Sequence, residues 1–189
     1  MKTTALVAAA AVAALTSAPA LAQDWYVRGD VSAAFDSRLD STPKLKGDDG
    51  WGLGLALGRE YPSGFRTEAE VVHLKTDATN ALADDHKTLG GFVNAYYDFN
   101  KEGALQPFVG AGLGVARVKV NGGPYHGRDT DFAYQLKAGL GYRLSDKATG
   151  EVAYRYVGAP DLKLGSGVSQ AKGDFRAQAV SVGLRYRFG

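Results

Sequence analysis

Two glutamates, Glu68 and Glu70, stand two residues apart in the segment Arg66-Thr67-Glu68-Ala69-Glu70. In an extended strand that spacing puts both carboxylates on one face, an arrangement able to do acid–base work. His73, His86 and His126 are further candidates for proton transfer or metal binding, but none sits in a zinc-like pair spacing. Asp48-Asp49 and Asp84-Asp85-His86 lie in polar stretches that could gather at one rim. Gly110-Ala111-Gly112-Leu113-Gly114 has the outline of a dinucleotide loop, yet it lies inside a strand pattern and lacks the full G-x-G-x-x-G. It opens no helix whose N-terminus could meet a phosphate. Small residues in a crowded wall explain it better. The chain has no cysteine, which excludes disulfides, thiol catalysis, Cys-ligated zinc and a lipoprotein anchor. No cofactor and no metal is expected.

The elements that carry these residues read as strands. The first segment stands apart as an address. Lys2 gives a positive start, Ala5 to Leu15 is an apolar run too short to span a bilayer, and Ala20-Leu21-Ala22 is an A-x-A cleavage site. Residues 1–22 are thus expected to be a cleaved signal peptide and 23–189 a single domain. With 22 basic and 20 acidic residues the net charge is only +2, which does not suggest nucleic acid as a partner. Beyond the address, period-2 segments alternate with turn residues. They predict eight strands, at 24–36, 50–60, 64–75, 87–99, 105–119, 131–144, 148–158 and 175–188. Each is long enough to cross a bilayer at a tilt. The connections alternate in length. Pro62-Ser63, Asn100 to Ala104 and Ser145 to Lys147 are short; Ser37 to Asp49, Thr76 to His86, Val120 to Thr130 and Ala159 to Asp174 are long and polar. Short turns at one end and long loops at the other are the pattern of a transmembrane barrel.

Each strand has an oily face and a small-or-charged face. Trp51, Leu53, Leu55 and Leu57 oppose Gly52, Gly54, Ala56 and Gly58; Val180, Val182, Leu184, Tyr186 and Phe188 oppose Ser181, Gly183, Arg185 and Arg187. A soluble barrel would expose the glycine face, wasting strand propensity. With the oily face outward instead, glycine and alanine leave room for long charged side chains in an interior only wide enough for side chains. Arg28, Asp30, Arg66, Glu68, Glu70, Lys137, Arg143, Glu151, Arg155, Arg185 and Arg187 share the interior phase. A salt-bridge network filling the lumen therefore outweighs a catalytic carboxylate pair, because buried charges must be paired. Trp25, Phe65, Phe99, Tyr142, Tyr186 and Phe188 near the short turns, with Trp51, Phe132 and Tyr156 near the long loops, predict two interfacial girdles.

Gly90-Gly91-Phe92-Val93-Asn94-Ala95-Tyr96-Tyr97-Asp98-Phe99, followed by Gln106-Pro107-Phe108-Val109-Gly110-Ala111-Gly112-Leu113-Gly114-Val115, resembles the opacity-type, porin-family outer-membrane β-barrels. So do Phe132 to Gly139 and Tyr154-Arg155-Tyr156. The resemblance implies an all-β, eight-stranded, antiparallel up-and-down transmembrane barrel in a Gram-negative outer membrane, with short periplasmic turns and longer extracellular loops. It implies outer-membrane lipid and lipopolysaccharide as surroundings, and the insertion machinery and periplasmic chaperones as partners in biogenesis. Tyr186 and Phe188 would form the C-terminal insertion signal, with Phe188 one residue short of the end. Members of the family imply a non-catalytic role in envelope structure and in contact with a host or surface ligand. The alternatives are a small-solute channel and a lipid- or peptide-directed membrane enzyme. Outer-membrane proteases have ten strands, and the chain carries no H-x-S-N run of the lipid A deacylase type.

Overall fold

The computed structural model describes residues 24–40, 45–47, 50–76, 86–120, 127–164 and 171–188. Nine strands are assigned in chain order: β1 (Trp25–Asp40), β2 (Leu45–Gly47), β3 (Gly50–Glu60), β4 (Phe65–Thr76), β5 (His86–Asp98), β6 (Leu105–Val120), β7 (Gly127–Arg143), β8 (Ala148–Leu164) and β9 (Ala171–Arg187). Every pairing is antiparallel between neighbours, and β1 pairs with β9 to close the sheet. The short β2 continues the register of β3 on β1, since Ser37 faces Gly47 as Ala34 faces Gly50. The barrel therefore has eight walls.

Closure gives each strand of the described wall a neighbour on both sides, so its backbone groups pair within the sheet, as hydrocarbon demands, with register shifts only between Phe35 and Arg38 and between Ala159 and Leu162. Orientation follows from exposure. Leu55, Val93 and Leu113 are 71%, 69% and 61% exposed, whereas Arg66, Arg155 and Glu70 are 1%, 1% and 2% exposed. A water-soluble barrel would reverse those values. The barrel is turned inside out for lipid.

The strands run further than the sequence pattern suggested at the long-loop end. The stretch 37–49 was expected as loop, but β1 continues to Asp40 and β2 occupies Leu45–Gly47. Likewise β7 starts at Gly127, β8 reaches Leu164 and β9 starts at Ala171, inside segments expected as loops. Outside hydrocarbon the apolar–polar alternation stops, while ladder hydrogen bonds still hold two chains together. Crossing takes about 9–11 residues, so the 17-residue strands β7, β8 and β9 project beyond the membrane as paired ribbons.

The opposite end is closed by tight turns. Gly64, at φ 87°, takes the left-handed conformation between β3 and β4, and a Cβ there would lie 2.9 Å from the Asp98 carbonyl oxygen. The turn after β5 is tied across the mouth. Lys101 Nζ donates to the Tyr61 carbonyl at 2.9 Å, while Gln106 Nε2 donates to the Lys101 carbonyl at 2.8 Å.

Candidate functional site: the lumen

The side chains that β1, β4, β5, β7, β8 and β9 send inward meet on the barrel axis. Alternation explains why: Arg66, Glu68 and Glu70 are spaced by two, and cross-strand register sets Glu68 beside Asn94 and Lys137 beside Arg155. Glu70 is the hub. Its Oε1 accepts from Lys137 Nζ at 2.6 Å, Arg155 Nη2 at 2.7 Å and Arg28 Nη2 at 2.9 Å. Its Oε2 accepts from Gln135 Nε2 at 2.7 Å and Asn94 Nδ2 at 3.0 Å. Glu68 takes Arg28 Nη2 at 2.7 Å, Tyr26 Oη at 3.0 Å and Tyr96 Oη at 3.1 Å. Asp30 pairs with Arg28 and, at 3.4 Å, with Arg155.

A second layer lies nearer the short turns. Arg66 Nε is 2.8 Å from Asp98 Oδ2, and its Nη1 is 3.5 Å from Glu151 Oε1. Arg185 reaches Glu60 at 3.1 Å, Glu151 at 3.3 Å and Asp98 at 3.5 Å. The Arg66 guanidinium also sits over the Tyr96 ring at 4.8 Å and the Phe108 ring at 5.1 Å. Tyr96 can occupy the lumen because it lies flat over Gly110, where a Cβ would collide with its ring. Toward the long loops the contents become apolar, with Val72, Phe92, Ala116, Ala133, Val157 and Ala159 packed together. The free space among Arg28, Asp30, Arg66, Tyr96, Lys137 and Glu151 is about 10 Å³ to a water-sized sphere, room for roughly one water.

Of the eleven residues assigned to the interior from sequence, nine lie buried in these two layers: Arg28, Asp30, Arg66, Glu68, Glu70, Lys137, Glu151, Arg155 and Arg185. The other two sit at the mouth. Arg143 is half-buried and donates from Nη2 to the Lys101 carbonyl at 2.6 Å rather than to a carboxylate among the described residues. The Arg187 side chain is 32% exposed and stands 3.7 Å from Glu60. The sequence reading missed Glu60, Asp98, Asn94, Gln106, Tyr26 and Tyr96, all buried here; strict alternation from Arg28 reaches Tyr26.

Glu68 and Glu70 are held by cations and enclosed, with no exposed side-chain surface. They are placed to bind Arg and Lys, not to meet a substrate. His73 is half-buried on the outer face, its ring 6.4 Å from Trp51 edge to face. His126, Asp48-Asp49 and Asp84-Asp85 lie outside the described residues, as do residues 1–23 with the expected signal peptide. Among the described residues no group of three His, Asp or Glu side chains could hold a metal ion. At the C-terminus Tyr186 is exposed and packs on Phe188 at 6.2 Å, while the Phe188 N–H donates to the Trp25 carbonyl at 2.8 Å.

The sequence model of the outer membrane protein beta-barrel domain matches residues 4–188. A protein of Rickettsia felis named "Putative adhesin" is 27% identical over 222 residues, covering 98% of this chain and 99% of its own length. Among solved structures, Neisserial surface protein A has the same fold, with a TM-score of 0.69 at 21% identity, over 87% of this chain and 97% of that one. The outer membrane protein OprG of Pseudomonas aeruginosa aligns with a TM-score of 0.54 at 19% identity, over 88% of this chain and 97% of its own.

Proposed function

The chain belongs to the outer membrane protein β-barrel family, and from that premise we propose that it is a non-catalytic integral component of the outer membrane. It contributes to envelope structure and makes surface contact through its extracellular loops. The observation that carries this reading is the lumen. Among the described residues two layers of ion pairs and an apolar layer fill it, and its carboxylates are engaged by cations, which supports a lumen closed to solute and without chemistry. What remains for contact is the exterior, where β7, β8 and β9 are longer than a membrane crossing needs. The name of the Rickettsia felis relative points the same way. On this reading residues 1–22 are removed on export, and Tyr186 and Phe188 present the aromatic end that the insertion machinery takes up.

Three measurements on refolded protein test the proposal. Planar bilayers should record no large, steady conductance; finding one would replace this reading with a porin. Incubation with lipopolysaccharide or peptides should leave their masses unchanged; a released acyl chain or a cleaved peptide would make the barrel an enzyme. Shortening the 41–44 and 165–170 connections should abolish adhesion to host-cell or matrix-coated surfaces while the barrel still folds. Undiminished adhesion would remove the loops from the account.

A further inference from the structure

The barrel closes where β1 meets β9, the two ends of the chain. Among the described residues every other pairing joins strands that follow one another closely in sequence, so its loop is cheap to form. The closing pair has the longest loop of all, and a non-local pairing of that kind must wait for the local ones. Its register sets Arg28 of β1 directly opposite Arg185 of β9, both on the inner face and both buried. Like charges opposed across a strand pair are destabilising. The seam therefore carries a charge conflict at the step where the sheet becomes a barrel. Lys137 opposite Arg155 is a similar conflict across β7–β8, but there a tight turn already holds the strands together.

Most partners of the two arginines belong to one of them alone. Arg28 pairs with Glu68 at 2.7 Å and Glu70 at 2.9 Å, both on β4. Arg185 pairs with Glu60 of β3 at 3.1 Å and Asp98 of β5 at 3.5 Å. Among the described residues one carboxylate reaches both. Glu151 of β8 sets Oε1 3.3 Å from Arg185 Nε and Oε2 4.0 Å from Arg28 Nε. Its place in the register suits the task. Glu151 lies beside Gly183 on the β8–β9 pair, so it arrives with Arg185 and meets Arg28 only on closure.

We propose that Glu151 is the clasp of the β1–β9 seam: its carboxylate neutralises the opposed Arg28 and Arg185, and so sets how fast the inserted sheet closes into a barrel. The inference rests on the membrane placement of the barrel and is independent of what the loops contact. Glu151 Oε1 is also 3.5 Å from Arg66 Nη1, but Arg66 keeps Asp98 at 2.8 Å. Loss of the Glu151 charge therefore falls on the seam.

The test is refolding from urea into phosphatidylcholine vesicles, followed by two signals. Fluorescence of Trp25 and Trp51 reports insertion, and the compact band in unboiled SDS gels reports closure. Glu151→Gln should leave the fluorescence phase unchanged and slow the appearance of the compact band about tenfold, the share of a broken buried pair felt in a half-formed transition state. Adding Arg185→Gln removes the opposed charge and should return closure to within about twofold of wild type. If Glu151→Gln yields no compact band at all, the double variant decides: a restored band upholds the proposal and a missing one overturns it. The proposal is also overturned if Glu151→Gln closes as fast as wild type, if it slows both signals equally, or if the double variant closes as slowly as the single one.

Discussion

Replacing Glu70 by glutamine asks whether the lumenal charges act as one network. The substitution keeps the volume and an acceptor oxygen but removes the negative charge. Three cations donate to Glu70 Oε1, and their fates differ. Arg28 keeps Glu68 at 2.7 Å and also Asp30. Arg155 keeps Asp30 at 3.4 Å. Lys137, 2.6 Å from Glu70, retains no other carboxylate within ion-pair distance among the described residues. The main cost is therefore one buried cation left uncompensated, about 3–5 kcal/mol, and not three times that amount. Adding Lys137→Met removes the orphan. Because an apolar replacement of a whole buried pair is often neutral or stabilising, the double variant should regain most of the loss. The assay is urea unfolding in phosphatidylcholine vesicles, followed by the fluorescence of Trp25 and Trp51 and by mobility before boiling, arranged as a double-mutant cycle. A Glu70→Gln barrel as stable as wild type would refute the reasoning. So would a double variant whose destabilisation equals the sum of the single ones.

Leu55→Arg should destabilise the barrel by about 2–4 kcal/mol, since Leu55 is 71% exposed to lipid on β3, whereas Ser63→Arg in the exposed β3–β4 turn should be neutral; equal refolding yields would put Leu55 on the wrong face. Unboiled protein should run as a compact band in SDS gels and shift on heating, because a closed sheet offers no edge at which to open. Mass spectrometry of the envelope form should find Gln23 at the N-terminus, and a retained Met1 would contradict the export signal.

What the sequence made legible was phase. Glu68 and Glu70 alternate with Thr67 and Ala69, and Arg185 with Leu184 and Tyr186, so within a strand the inner and outer sets separate on inspection. Strand ends were harder. Glu60 and Asp98 each abut a tight turn, where a carboxylate reads as solvated turn polarity; only the closed barrel brings both to Arg185. Tyr26 and Tyr96 look like girdle aromatics by type, yet their phase turns them inward, where their hydroxyls serve Glu68. Arg143 and Arg187 have the inner phase but lie too near the mouth to be enclosed.

Register also explains why so many charges are kept inside. The outer face within the membrane is mostly apolar on every strand, and lipid accepts apolar side chains in any order, so it cannot specify how neighbouring strands align. The inner face can. A one-residue slip of β4 would exchange its two faces, carrying Arg66, Glu68 and Glu70 into hydrocarbon and Val71 and Ala69 into the lumen. Arg66, near the short-turn interface, would then cost less than the about 2–4 kcal/mol of an arginine at the membrane midplane, and the two carboxylates, deeper in the wall, would add to it. Lys137, Arg155 and Arg28 would at the same time lose the oxygen they share. An apolar lumen of equal volume would impose no comparable penalty, since a slipped strand would present one oily face in place of another. The ion pairs thus do for this barrel what a buried hydrophobic core does for a soluble sheet: they make one alignment of the strands far cheaper than its neighbours.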